Sequence, residues 1–307
     1  MLKPILLASA TAALLCGGAS AADLPRRAAP PPVFVPVPVF TWTGAYFGLN
    51  AGYAFSDNSN IRTLGNNGAG AGAILPLANG NPGSNTVLNV QQERRASSLR
   101  SEQEGFTGGG QIGYNYQFTP GSGIVIGIEA DAQYTDLTRR IAYLSPAQAA
   151  NGFVPDPSTV RQSLDYLGTV RGRLGYAFDR VLVYGTGGFA YGNVNYDAQF
   201  FSNNAAAGNP LAYRGRYNEI ETGYVYGGGI EYALPTDSFL NFFKSSAVTI
   251  KAEYLRYDLG SRSITVSSTN PATGAQFIAA ANGSYTSRFS TEGSLVRAGL
   301  NYKFGSY

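Results

Sequence analysis

From Thr43 onward the chain is built of segments in which apolar and small or polar residues alternate, each bounded by Gly, Pro, Asn, Asp or Ser clusters. A period of two is the signature of a β-strand with two unlike faces, and no comparable helical period recurs outside the intervening gaps. Eight such segments are predicted: about residues 43–55, 105–118, 124–134, 165–178, 181–193, 220–234, 247–259 and 291–304. The third is the sharpest. It sets Ile124, Ile126, Ile128, Ala130, Ala132 and Tyr134 against Val125, Gly127, Glu129, Asp131 and Gln133. In the first, Ala45, Phe47, Leu49, Ala51, Tyr53 and Phe55 oppose Gly44, Tyr46, Gly48, Asn50 and Gly52. The seventh places Val248, Ile250, Ala252 and Tyr254 opposite Thr249, Lys251 and Glu253. The fifth is too Gly-rich for its faces to be assigned.

Period-two strands suit a soluble barrel as well as a membrane one, and the charges decide between them. They gather on the small, polar face, while the opposite face is nearly charge-free and ends in aromatics. A water-soluble barrel would turn its charges outward, whereas a lipid-facing wall around a polar lumen requires this arrangement. The gaps agree: long ones (56–104, 137–164, 194–219, 260–290) alternate with short ones, as extracellular loops alternate with periplasmic turns. The expectation is therefore all-β, an eight-stranded antiparallel up-and-down transmembrane β-barrel with long extracellular loops and short periplasmic turns. The long gaps read as aqueous loops. Within the first of them, Gln91 to Arg100 reads as a solvated charge run, the alternatives being a short amphipathic helix or contact with lipopolysaccharide phosphates.

Composition narrows the classes further. Charged residues are 13% of the 307, with 39 Gly, 21 Tyr and 17 Phe, and no apolar run of about 18 residues could form a spanning helix. The net charge of +3 is not concentrated in a basic tract, which argues against nucleic acid as a partner. At the N-terminus, Lys3, the apolar stretch to Leu15 and Ala19-Ser20-Ala21 read as a signal peptide over 1–21, cut between Ala21 and Ala22. Residues 22–42 are Pro-rich and read as a periplasmic tether, and 43–307 as the barrel.

The chain has no histidine, and its one cysteine, Cys16, lies within the signal peptide. This removes Ser-His-Asp and Cys-His chemistry and most transition-metal sites, so no catalytic residue, metal site or cofactor is assigned and the chain is not expected to be an enzyme. Glu129 and Asp131 share a face as an acid/base pair might. They do so among Arg171, Arg173, Glu231, Lys251, Glu253 and Arg297, all predicted in the same lumen, and a structural ion-pair network of these eight is the expectation. The runs Gly108-Gly109-Gly110 and Gly185-Thr186-Gly187-Gly188 precede no helix and so form no phosphate cradle; they suit close packing in a narrow barrel.

The segment Phe40-Thr41-Trp42-Thr43-Gly44-Ala45-Tyr46-Phe47-Gly48 after a proline-rich tether, Lys251 to Gly260 (KAEYLRYDLG) and Val296 to Phe304 (VRAGLNYKF) resemble the small outer-membrane barrels of alphaproteobacteria. These are the immunogenic and haemin-binding outer-membrane proteins, often called porin-family or OmpA-like barrels. The resemblance covers the strands and not the loops. It implies an outer-membrane location in a Gram-negative envelope, contact with outer-membrane lipid and lipopolysaccharide, and insertion by the barrel assembly machinery. Arg297, Gly299, Tyr302 and Phe304 resemble the C-terminal signal that such machinery reads. The expected function is structural: envelope support and display of surface loops. The alternatives are a narrow porin and haem or small-ligand binding at the loops, for which Tyr143, Tyr213 or Tyr285 would have to supply the iron ligand.

Overall fold

In a computed structural model the described residues are 39–57, 59–68, 85–146, 155–202, 211–236, 238, 241, 247–270 and 283–304. The signal-peptide and tether readings, the Ala21–Ala22 cleavage site and residues 305–307 lie outside them. The strands are β1 (Gly44–Ser56), β2 (Ser59–Asn66), β3 (Ser98–Ser101), β4 (Glu104–Gln117), β5 (Ser122–Leu144), β6 (Pro157–Phe178), β7 (Val181–Phe201), β8 (Leu211–Ala233), β9 (Val248–Ser268) and β10 (Ser284–Lys303). One short helix, α1 (Thr86–Gln91), lies between β2 and β3, with the Asn85 side chain accepting from the Leu88 amide as its N-cap.

These ten strands make eight staves. β1 pairs with β10 from Tyr46↔Lys303 to Ser56↔Gly293, and β2 continues upward along the same strand from Arg62↔Arg288 to Asn66↔Ser284. Partner numbers total 349 in the first ladder and 350 in the second, so one extra residue near Asp57 bulges the stave. β3 and β4 form the next stave in the same way, since β2 pairs with β3 and β1 with β4. The other six follow as antiparallel neighbours, and the β1–β10 pairing closes the ring. In the lower half closure leaves no free edge, the condition for backbone that crosses lipid; above it, β3 pairs with β2 alone among the described residues.

The staves are longer than the alternating segments from which they are predicted. β5 and β6 run through 137–144 and 157–164, β7 and β8 through 194–201 and 211–219, and β9 and β10 through 260–268 and 284–290. Much of what reads as loop is therefore wall. The reason is a change of polarity along each stave. On β5 the outward residues run Ile124, Ile126, Ile128, Ala130, Ala132, Tyr134 and then Asp136, Thr138, Arg140, while the inward ones run Glu129, Asp131, Gln133, Thr135 and then Leu137. On β7 Val183 and Phe189 face out, followed by Asn193, Asn195 and Asp197, and inside Thr186 gives way to Ala190, Val194, Tyr196, Ala198 and Phe200. The lower half is polar inside and apolar outside, as lipid demands; the upper half has the polarity of a water-soluble barrel. The switch coincides with the register shifts at 134/137 and 164/167, with one at 290/292 on β10, and with the left-handed Gly260 in β9. Across them β6 and β9 exchange which alternate residues face inward, whereas β5 and β7 keep their phase and change polarity by residue type alone.

Outward, the lower half carries Phe47, Ile112, Ile126, Ile128, Leu174, Ile230 and Leu300 between two rings of aromatics: Tyr53, Phe55, Phe106, Tyr134 and Tyr224 above, and Phe118, Phe178 and Phe304 below. Val248 departs from the lipid-facing expectation, being only 1% exposed although Ile250 two residues on is 37% exposed. It begins β9 in register with Tyr302 and lines a recess with Phe47, Leu300, Tyr302 and Phe304, so at the periplasmic rim the wall covers itself.

Candidate functional site

The barrel interior is filled at three levels. At the periplasmic floor, the residues before β1 tuck across the opening. Trp42 is buried beside Phe40, Val125, Ala177, Leu182, Tyr184 and Ala233. Its indole Nε1 donates to the Asp179 carbonyl at 3.0 Å and its amide to Gln117 Oε1 at 2.7 Å. Phe40 meets Trp42 edge-on at 5.2 Å, and the Arg180 guanidinium lies over the Phe40 ring.

Above the floor, strand register assembles opposite charges. Glu129 stands opposite Arg171, Glu231 opposite Lys251, and Glu253 opposite Arg297, all pointing inward. Across the lumen these pairs merge. Arg171 meets Glu129, Asp131 Oδ2 at 2.8 Å and Glu253 Oε1 at 2.9 Å. Arg297 bridges Asp131 at 3.0 Å and Glu253 at 2.6 Å, and Lys251 reaches Glu129 at 2.9 Å. Arg173 holds Glu231 at 2.7 Å and lies over the Tyr184 ring at 3.9 Å. The structure thus brings all eight lumen residues singled out by charge pattern into one cluster of four cations and four carboxylates, none more than 5% exposed. Formal charges cancel, as burial requires.

Polar residues that the charge pattern does not pick out complete the cluster. The Tyr46 hydroxyl donates to Glu129 at 2.6 Å and accepts from Arg173 at 2.6 Å. The Tyr184 hydroxyl donates to Glu253, Thr169 to Asp131, and Thr249 and Asn301 to Glu231. A signal exists for Tyr46, the one aromatic among Gly44, Gly48, Asn50 and Gly52. Its ring needs Gly113 on β4, where a Cβ would meet the phenol carbon and oxygen at 2.4 Å. Gly127 is equally tight, with a Cβ 2.3 Å from Asn115 Oδ1. Gly127→Arg is accordingly expected to block folding through bulk, visible as loss of the heat-modifiable band in gels.

The third level is an apolar core in the upper half, including Leu137, Val160, Leu164, Val194, Tyr196, Phe200, Tyr213, Ile264, Tyr285 and Phe289. The Tyr196 and Phe289 rings stack at 4.5 Å, and Tyr285 takes Phe200 and Tyr213 edge-on. The charge run after α1 is divided: Glu93 and Arg100 are exposed, whereas Arg94 and Arg95 are buried. Arg94 pairs with Asp156 at 2.8 Å, and Arg95, fully buried, donates to the Pro157 and Phe201 carbonyls and to Ser158 Oγ. Those two arginines fasten α1 over the core and do not face lipopolysaccharide phosphates. Two of the three candidate haem tyrosines, Tyr213 and Tyr285, are core residues, and the Tyr285 hydroxyl accepts from Asn89 at 3.0 Å. Tyr143 donates to the Glu93 carbonyl.

At the chain end, Tyr302 and Phe304 face outward and pack on Phe47 at 6.0 and 5.5 Å, whereas Arg297 and Gly299 face the lumen. Gly299 leaves room for the Lys251 chain, which a Cβ would approach to 3.1 Å.

A closed eight-stave ring with an apolar band, aromatic rims and a charge-balanced lumen defines an integral membrane β-barrel. The chain belongs to the outer membrane protein beta-barrel domain family, whose profile matches residues 9–304, and it resides in the outer membrane. It is 32% identical over 304 residues, 99% of this chain and 100% of the relative, to the 31 kDa outer-membrane immunogenic protein of Brucella melitensis, and equally to that of Brucella suis. Among solved structures it is similar to the outer membrane protein OprG of Pseudomonas aeruginosa, at TM-score 0.39 and 14% identity, covering 86% of this chain and 97% of that one. It is also similar to the outer membrane protease OmpT of Escherichia coli, at TM-score 0.35 and 9% identity, covering 84% and 97%.

Proposed function

We propose that this protein is a non-catalytic, non-conducting structural barrel that spans the outer membrane and holds a rigid, water-exposed collar above it. The observation that carries the reading is the filling of the lumen at three successive levels, with the eight-residue charge cluster in the middle. A pathway for ions would need a continuous water-filled bore, and eight-stave barrels have interiors just wide enough for side chains to fill. The upper half adds a purpose: an apolar core outside the bilayer serves no transport, but it stiffens a platform that carries surface segments clear of the lipid. With no histidine in the chain, proton-transfer catalysis inside the barrel would fall to Glu129, Asp131, Glu231 and Glu253, which are already engaged by arginine and lysine.

The experiment is electrical. Refolded protein in planar bilayers is expected to show no steady single-channel current; stable ohmic steps would replace this reading with a narrow porin. A second expectation concerns assembly. Phe304 completes an exposed aromatic cluster with Phe47 and Tyr302 at the lower rim. We propose that Phe304 is also the residue that the barrel assembly machinery reads. Phe304→Ala should then cut the cellular yield of folded, outer-membrane-located protein severalfold while weakening the barrel refolded in detergent only modestly. Equal losses in cells and in detergent would reduce Phe304 to a packing residue.

A further inference from the structure

The collar's outer wall carries a recess flanked by two arginines whose placement packing does not account for. Arg62 on β2 and Arg288 on β10 stand directly opposite one another across an antiparallel ladder, both exposed. Their neighbours in the same row are Ser98 on β3 and Ser263 on β9. Like charges in a directly opposed pair have Cβ atoms about 5 Å apart and repel, so the pair costs stability on its own. Several cations elsewhere on the wall have acids: Arg216 and Arg214 share Asp197, Arg262 has Glu221, and Arg256 has Asp57 and Glu292. Arg140 and Arg161 are a second exposed, directly opposed pair without an acid among the described residues, but they do not line the recess that Arg62 and Arg288 flank. Arg62 and Arg288 have no ion pair or hydrogen bond with any side chain among the described residues. Instead they flank a recess of about 600 Å³ whose lining adds the polar Asn60, Ser261, Thr286 and Ser290 beside the apolar Leu64 and Phe289.

We infer that this recess is a binding site for a phosphate ester on the saccharide headgroup of the outer-leaflet glycolipid. The inference rests on the reading of the upper half as an extracellular collar. Paired guanidiniums are suited to a dianionic phosphate, each offering a planar fork of donors. Hydroxyl and amide groups around them suit sugar hydroxyls, and the recess is far larger than an inorganic phosphate. Its position selects the source. At roughly 3.4 Å per residue on a strand tilted by about 40°, Arg288 stands on the order of 20 Å above Val296, the last lipid-facing residue of β10. The recess opens sideways from the wall at that height, into the layer that membrane-anchored saccharides occupy.

The test uses the refolded mature chain in detergent, titrated with lipopolysaccharide, with chemically dephosphorylated lipopolysaccharide and with inorganic phosphate, following the temperature at which the folded band is lost. Intact lipopolysaccharide should raise the wild-type midpoint, because a ligand bound only by the folded state stabilises it. Arg62→Gln/Arg288→Gln should abolish most of that rise, while its midpoint without ligand equals or exceeds that of wild type, since the repulsion is relieved. Arg140→Gln/Arg161→Gln, the other directly opposed arginine pair, serves as the control for net charge. The inference is overturned if the two double variants lose the same fraction of the response, or if dephosphorylated lipopolysaccharide acts like the intact molecule. A response to inorganic phosphate at millimolar concentration equal to that of lipopolysaccharide would likewise overturn the glycolipid assignment. Failure here with an intact non-conducting barrel would leave the structural function standing; ohmic conductance with a normal response would do the reverse.

Discussion

Replacing Arg171 by alanine is expected to destabilise the barrel by about 3–5 kcal/mol, the cost of leaving buried charge without its partner. The guanidinium serves three carboxylates at once, Glu129, Asp131 and Glu253, and also donates to Thr169. Its loss leaves four carboxylates facing three cations in a space closed below by Trp42 and above by the Leu137–Phe289 core. Water cannot enter freely to solvate the excess, so the penalty is of the buried kind. Arg216→Ala makes the contrast. It also breaks an ion pair to a carboxylate, Asp197, but the Arg216 side chain is 61% exposed, and pairs of that kind contribute about 0–1 kcal/mol. Urea midpoints of the two variants in lipid vesicles decide the matter: an unchanged midpoint for Arg171→Ala would mean that the lumen is wet and the cluster loosely held.

That cluster was legible from charge placement alone, because a period-two strand puts every second residue on one face whatever its neighbours do. Glu129, Asp131, Arg171, Arg173, Glu231, Lys251, Glu253 and Arg297 interrupt otherwise apolar strands, and only one face can tolerate them in lipid. The tyrosines of the cluster were less legible. Alternation puts Tyr46 on the polar face but gives it no partner, and Tyr184 lies in a segment too Gly-rich for its faces to be read; the register that sets them against Gly113 and Gly229 is a property of strand pairs. The collar was missed for a different reason. Around 137–144 and 194–201 the alternation persists, but its sense reverses, with Leu137 and Val194 inside and Thr138 and Asn195 outside. A search for apolar residues on the lipid face stops where that face turns polar, although the strand continues. The folded-back arginines after α1 lay beyond any local pattern, since the partners of Arg95 are carbonyls at Pro157 and Phe201, remote in sequence.

The reversal of polarity makes the second large prediction, and one strand contains both arms of the test. Ile128 and Thr138 lie on the same outward face of β5, ten residues apart by number. Ile128 is 67% exposed at the level of the charge cluster, where the surroundings are acyl chains. Arginine there must bring a charge to the bilayer midplane, at a cost of about 2–4 kcal/mol. Thr138 is exposed in a stretch that reads Thr-Arg-Arg, above the Tyr134 ring, where the surroundings are water and sugar. Arginine at Thr138 should therefore change stability by no more than about 0.5 kcal/mol, as surface substitutions do. Refolding equilibria in vesicles of matched thickness measure both. Equal penalties would place the lipid boundary above Thr138 and turn the collar into membrane wall; no penalty at either site would mean that Ile128 does not face acyl chains. The predicted difference has one physical source: an outward side chain on this strand meets hydrocarbon up to Tyr134 and water from Asp136 onward, so the wall can carry charge outside only where it has turned apolar within.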